Sequence, residues 1–115
     1  MTSKKADLHV EIVRFVMDCQ PPIVACEFVD AGGGQHTVID KVWVFCEETL
    51  DGESKYPQPG AIRCTILAEW RDDAGRELCK INTADPFHIE STEGLAEFVV
   101  LRNQVSTEEQ GINLR

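Results

Sequence analysis

One pattern occurs twice in this chain, and it confines the fold to sheet. Residues 23–41 and 62–80 each read as strand, acidic–glycine turn, strand. In both, a Glu-aromatic pair (Glu27-Phe28, Glu69-Trp70) runs into an Asp-Ala-Gly triplet (Asp30-Ala31-Gly32, Asp73-Ala74-Gly75). The first arm alternates Val24, Cys26 and Phe28 with Ala25, Glu27 and Val29. The second sets Ile62, Cys64, Ile66, Ala68 and Trp70 inward against Arg63, Thr65, Leu67, Glu69 and Arg71. A period of two belongs to a pleated strand, and glycine at each reversal supplies the positive φ that a tight hairpin needs.

Further strands follow from the same reading. Leu8–Met17 carries apolar residues on one parity (Leu8, Val10, Ile12) and then on the other (Val13, Phe15, Met17), which predicts a bulge or a bend. Pro21-Pro22 ends it, because neither can donate to a ladder. The return strand of the first hairpin is expected over His36–Phe45, apolar on both parities from Val38. Residues 47–60 form a long acidic and proline-rich connection, of the length that loops carrying function have. Glu77–Thr83 closes the second hairpin, Phe87–Glu90 is a short extended piece, and Leu95–Leu101 is a final strand. Residues 1–6 and 106–115 read as flexible tails, with Ser106 to Glu109 able to cap a helical turn. The sum is one all-β domain: a small antiparallel, partly open barrel or sandwich of six or seven strands built around two similar hairpins.

Charge excludes one class of partner. The net charge is −9, with four bases and six acids up to Phe45 but seven bases and fourteen acids after it. Nucleic-acid binding needs clustered Lys and Arg, so no nucleic-acid partner is expected. No apolar run is long enough to span a bilayer, and Asp7, His9 and Glu11 interrupt what would be the core of a secretory signal. Five cysteines without a close pair do not make a disulfide framework, so the expected compartment is the cytoplasm. Cys26, Cys64 and Cys79 fall on core parities, whereas Cys19 lies in a turn before two prolines.

Two constellations are candidates for function. His9-Val10-Glu11 and His88-Ile89-Glu90 each place a His and a Glu two apart, on one face if the segment is a strand. Were those strands neighbours, the four side chains would converge into an acid–base or divalent-metal site in a ligand-binding barrel or a small enzyme. Polar residues at that spacing are more often the solvent face of a half-buried strand. The zinc-deaminase pattern also begins His-x-Glu, but its Pro-Cys-x-x-Cys is missing. Gly32-Gly33-Gly34 lacks the lysine and following helix of a phosphate loop, and no cofactor signature is legible. The second constellation is aromatic: Trp43 and Phe45 on the return strand, with Tyr56 in the long loop, suit a protein interface inside an acidic rim.

Tyr56-Pro57-Gln58-Pro59-Gly60, Trp70-Arg71-Asp72 with Gly75-Arg76-Glu77, and Ile89-Glu90-Ser91-Thr92-Glu93-Gly94 together resemble a group of small uncharacterised bacterial proteins of about this length. The resemblance spans Val10 to Gln104 and brings no assigned activity to any residue. The expected function is therefore a small acidic binding domain, non-enzymatic, contacting a protein partner or a second copy of itself. Its candidate binding residues are Trp43, Phe45, Tyr56, His88 and Glu90.

Overall fold

The structure, a computed structural model, describes residues 4–107. Its strands are β1 (Lys4–Met17), β2 (Ile23–Val29), β3 (Gln35–Lys41), β4 (Gln58–Arg71), β5 (Glu77–Asn82), β6 (Glu97–Leu101) and β7 (Val105–Thr107). They form one antiparallel sheet in the order β3-β2-β1-β4-β5-β6, with β7 also paired to β1. The sheet is an open, strongly curled half-barrel. Among the described residues no helix is long and apolar enough to cross a membrane.

β1 organises the sheet because it bends. Lys4–Ile12 pairs with β4 along one edge. The other edge is divided: β7 takes Ala6–Leu8 and β2 takes Glu11–Met17. The ladder to β2 slips between Ile12 and Arg14 and again between Phe15 and Met17, where the apolar parity changes. Each slip adds an unpaired residue that turns the strand, so one long strand serves two partners on one side. The interior is filled from every strand of the main path, with Leu8, Ile12, Val24, Ile62, Ile81 and Val100 all fully buried.

The two hairpins share one turn. In the first, Asp30 Oδ1 accepts the amides of Gly32 (2.9 Å) and Gly34 (2.8 Å), and Gly33 has φ +90°. In the second, Asp72 Oδ1 accepts those of Ala74 (3.0 Å) and Arg76 (2.8 Å), and Gly75 has φ +85°. Asp30 therefore corresponds to Asp72 and Gly33 to Gly75, one residue away from the match of the two Asp-Ala-Gly triplets. The Glu-aromatic pairs, which align Glu27 with Glu69, carry the correct register.

Four expectations from sequence are corrected. β3 stops at Lys41, and Val42–Val44 forms a 3₁₀ turn closed by Phe45 N–H to the Val42 carbonyl (3.0 Å). Residues three apart eclipse in such a turn, so Val42 and Phe45 both point into the core and Trp43 is pushed out. Second, Trp70 is not core. The β4–β5 register shifts between Ile66 and Ala68, and a one-residue slip sends the later side chains to the opposite face. Trp70 ends 40% exposed, opposite Leu78, and Glu69 takes the inward parity. Third, Phe87–Glu90 is no strand: His88 has φ +60° and its N–H closes a turn on the Ala84 carbonyl (2.8 Å). Fourth, Lys4–Ala6 and Ser106–Thr107, expected in the tails, pair in β1 and β7, while the rest of the proposed 106–109 turn lies outside the described residues.

β3 and β6 do not pair with each other; the chain from Thr83 to Ala96 crosses the gap. Thr83 N–H donates to the Ala96 carbonyl (2.8 Å), Ile89 N–H to the Thr83 carbonyl (3.0 Å) and Thr92 N–H to the Thr37 carbonyl on β3 (2.8 Å). Ala31 N–H, from the first hairpin turn, reaches the Val99 carbonyl on β6 (2.8 Å). Both outer edges of the sheet thus have hydrogen bonds to irregular chain.

Candidate functional site

The His/Glu pairs predicted from sequence do not converge. His9 lies on β1 opposite Ala61, and its Nε2 is 2.7 Å from Ser106 Oγ. His88 and Glu90 are exposed in the chain that crosses the gap. His88 belongs to the neighbourhood of Asp85, whose carboxylate accepts from Lys5 Nζ (2.9 Å) and Thr65 Oγ1 (2.9 Å). Lys5 and His9 are four residues apart on one strand, roughly 13 Å along it. Glu11 is opposite Glu27 on β2, and Glu27 accepts from Gln35 Nε2 (2.7 Å). Among the described residues no group of three His, Cys, Asp or Glu is placed to hold a metal ion.

The aromatic candidates also separate. Phe45 is 3% exposed and belongs to the core, so it is no binding residue. Tyr56 is half-buried against that core and donates its hydroxyl to the Asp51 carbonyl (2.7 Å). Together with Leu50, which is buried, it pins the 47–57 loop. Trp43 stands out, 62% exposed. Its surroundings are readable from the register. Val42 N–H is bound to the Pro22 carbonyl (2.8 Å), and Lys41 faces Ile23, which faces Met17. Met17 (57% exposed) and Ile39 (39%) therefore lie at the same end of the sheet as Trp43. Asp18, Asp40, Glu47 and Glu48 follow these residues closely in sequence.

The chain was compared with protein-family models, curated proteins and solved structures. It matches none of them. Its chemistry must be read from its own geometry.

A half-buried polar pair joins these groups, formed by Asp30 and His36, which the pattern of motifs does not single out. His36 stands opposite Phe28 on the inward face, and its ring packs on Phe28 (centroids 5.2 Å apart) and Phe98 (4.8 Å). Its Nε2 is 2.7 Å from Asp30 Oδ2, and its buried Nδ1 has no hydrogen-bond partner. A sequence signal for it exists: His36 shares the parity of Val38, on the apolar side of β3.

Burial pushes the Cys64 thiol up to about 12 and raises Cys26 and Cys79 as well, which keeps them in the protonated, unreactive form. A groove of about 770 Å³, open to solvent, is lined by Glu69, Arg76 and Arg102 among others. Its charges are engaged by the fold. Arg102 bonds Glu69 (3.0 Å) and the Val105 carbonyl (2.8 Å), and Arg76 bonds Asp72 (2.8 Å) and the Ala31 carbonyl (2.9 Å).

Among the described residues, four carboxylates lie below their ordinary range, each through bonds to its charged form. The main causes are the His36 bond at Asp30, the Lys4 bond at Glu69, the Arg76 amide at Asp72 and the Lys5 bond at Asp85. A depressed folded-state value means stability that is present above the unfolded value, about 4, and is lost as pH falls through the folded one. The urea midpoint is therefore expected to hold from about pH 7 to about pH 5 and to fall steadily below about pH 4. Asp30→Asn should flatten that acid limb. A midpoint that rises as pH falls below about 4 would contradict the assignment of these bonds.

Proposed function

We propose that this chain is a non-enzymatic interaction domain of the cytoplasm that docks on a basic protein surface through the end of the sheet carrying Trp43. The observation that carries this reading is the way Trp43 is presented. Val42 before it and Phe45 two residues after it are 0% and 3% exposed, so the turn that bears the outward indole is fixed to the core on both sides. An aromatic side chain held rigidly on the surface loses little freedom on binding, which is what an anchor residue requires. Met17 and Ile39 are exposed apolar residues at the same end of the sheet, and Glu47 and Glu48 follow the turn in sequence.

The net charge of −9 favours a basic partner, since complementary potentials speed encounter and reject like-charged surfaces. A second copy of the same acidic chain lacks that complementarity. Edge-to-edge pairing is disfavoured as well, because the carbonyls of Thr37 and Val99 on the two outer strands already accept bonds. Five free thiols, three of them fully buried, suit a reducing compartment.

The test is an NMR titration with a Lys/Arg-rich peptide containing leucine anchors, run alongside sedimentation at two protein concentrations. Shifts are expected at the Trp43 indole and the Met17 methyl, and Trp43→Ala should weaken binding by about tenfold without altering the fold. Binding unchanged in Trp43→Ala, or shifts confined to another face, would remove the proposal. A mass that doubles with concentration and reverts in Trp43→Ala would replace the basic partner by a second copy.

A further inference from the structure

We infer that His36 is a pH-operated latch across the gap between β3 and β6, closed when its ring carries two protons and bridges Asp30 to Glu93. The gap is held on the β3 side by the bond from Thr92 N–H to the Thr37 carbonyl (2.8 Å). His36 is the residue before Thr37, and Glu93 is the residue after Thr92, so the two side chains flank that bond. His36 Nδ1 is 4.0 Å from Glu93 Oε1, while its Nε2 is 2.7 Å from Asp30 Oδ2.

Proton bookkeeping sets the direction. An ionised carboxylate only accepts, so Asp30 requires the proton of the neutral ring to sit on Nε2. Nδ1 then carries a lone pair, is buried, and faces a second acceptor in Glu93. Neutral His36 thus leaves one polar atom unsatisfied and sets two lone pairs against each other. A second proton on Nδ1 turns that opposition into a charge-assisted donor, with a carboxylate at each end of the ring. Asp30 stays ionised throughout the range in which imidazoles change charge, since the His36 bond holds its carboxyl below the usual value.

The groups around the ring support the assignment. From the first hairpin turn it meets Asp30, from the 91–94 turn Glu93, from β2 the ring of Phe28 and from β6 the ring of Phe98. These two aromatic rings keep the imidazole in place but offer neither nitrogen a partner. Arg76, on the neighbouring turn, is held by Asp72 and by the Ala31 carbonyl. The protonated ring therefore closes the gap more firmly. That extra hold depends on the second proton and on an ionised Asp30, and it is lost when the ring is neutral.

Hydrogen exchange of the Thr92 amide, corrected for the intrinsic rate, reads the latch directly. Because Glu93 is 70% exposed, the gain is that of a partly solvated ion pair. Protection should be about threefold greater near pH 5.5 than near pH 8. Glu93→Ala, at an exposed position that the fold tolerates, should abolish the difference while leaving protection of core amides such as that of Ile81 unchanged. Nitrogen-15 shifts of the ring should place the first proton on Nε2 and the second on Nδ1. Equal Thr92 protection at the two pH values, a pH dependence that survives Glu93→Ala, or a neutral ring protonated on Nδ1 would each overturn the inference.

Discussion

Replacing Ile12 by alanine is expected to lower the unfolding free energy by about 3–4 kcal/mol, near the upper end of what losing one buried aliphatic side chain costs. Ile12 is fully buried and stands where β1 passes from its β4 pairing into the first bulge with β2. Its side chain fills the space over Gly60, where an added Cβ would meet Ile12 Cγ1 at 3.0 Å and the Phe45 carbonyl oxygen at 3.3 Å. The hole left by truncation would be walled by two paired strands, which cannot easily collapse into it. Against a total stability of about 5–15 kcal/mol the loss is a large fraction, and it should lower Tm by about 12–15 °C. Urea unfolding with an unchanged slope would verify it. Val13→Ala, on the opposite parity and only half-buried, is the control and should cost far less. Equal losses at both positions would mean that the parity change in β1 is misplaced.

Thr83→Val should have the next largest effect, about 2 kcal/mol, although the two side chains have nearly the same shape. Thr83 is 1% exposed, and its hydroxyl lies 2.7 Å from the Ile89 carbonyl and 3.2 Å from that of Ala96. Valine would leave the Ile89 carbonyl buried without this donor and loosen the chain crossing the open side of the half-barrel. Thr83→Ser keeps the hydroxyl and should recover most of the loss. If valine and serine behave alike, methyl packing holds the crossing and the hydroxyl does not.

The strands that can be read from sequence are those whose alternation reaches both turns without interruption. β2 and the first part of β4 have inward apolar and outward polar or mixed residues, and the glycine of each turn marks the reversal. The bend in β1 is visible too, because both parities carry large apolar groups and the change between them is abrupt. The slip in β4 leaves no such mark. Ile66, Leu67 and Ala68 are all apolar, so an extra residue there changes no polar-to-apolar boundary, and alternation alone puts Trp70 on the wrong face. Val42-Trp43-Val44 fails for a related reason: its β-branched and aromatic residues favour strand, and the 3₁₀ turn is imposed by burying Val42 and Phe45 together. β7 carries a single large apolar residue, Val105, and no pattern of three residues could announce it.

Of the candidate site, Trp43 is legible through its chemistry and its loop neighbourhood, whereas Phe45, its expected companion, turns inward. Met17 accompanies it only because three strands align, a relation that depends on register across about twenty-five residues of separation, whereas Ile39 is near it along the chain. The Asp30–His36 pair is more local. It joins the first residue of a turn to the second residue of the following strand, and a hairpin that returns on itself brings those positions together.

The divided edge of β1 has a consequence for how the polypeptide acquires its shape. Residues 6–8 remain unpartnered on that side until Val105–Thr107 arrive, about a hundred positions later. Bringing such remote segments together costs entropy before any contact repays it, so the closing step belongs to the slow, millisecond-to-second regime of sheet proteins. During that interval residues 6–8 offer a bare ladder to any neighbouring chain. Lys4 and Lys5 stand at its beginning, where charge discourages unwanted annealing until the late strand covers it.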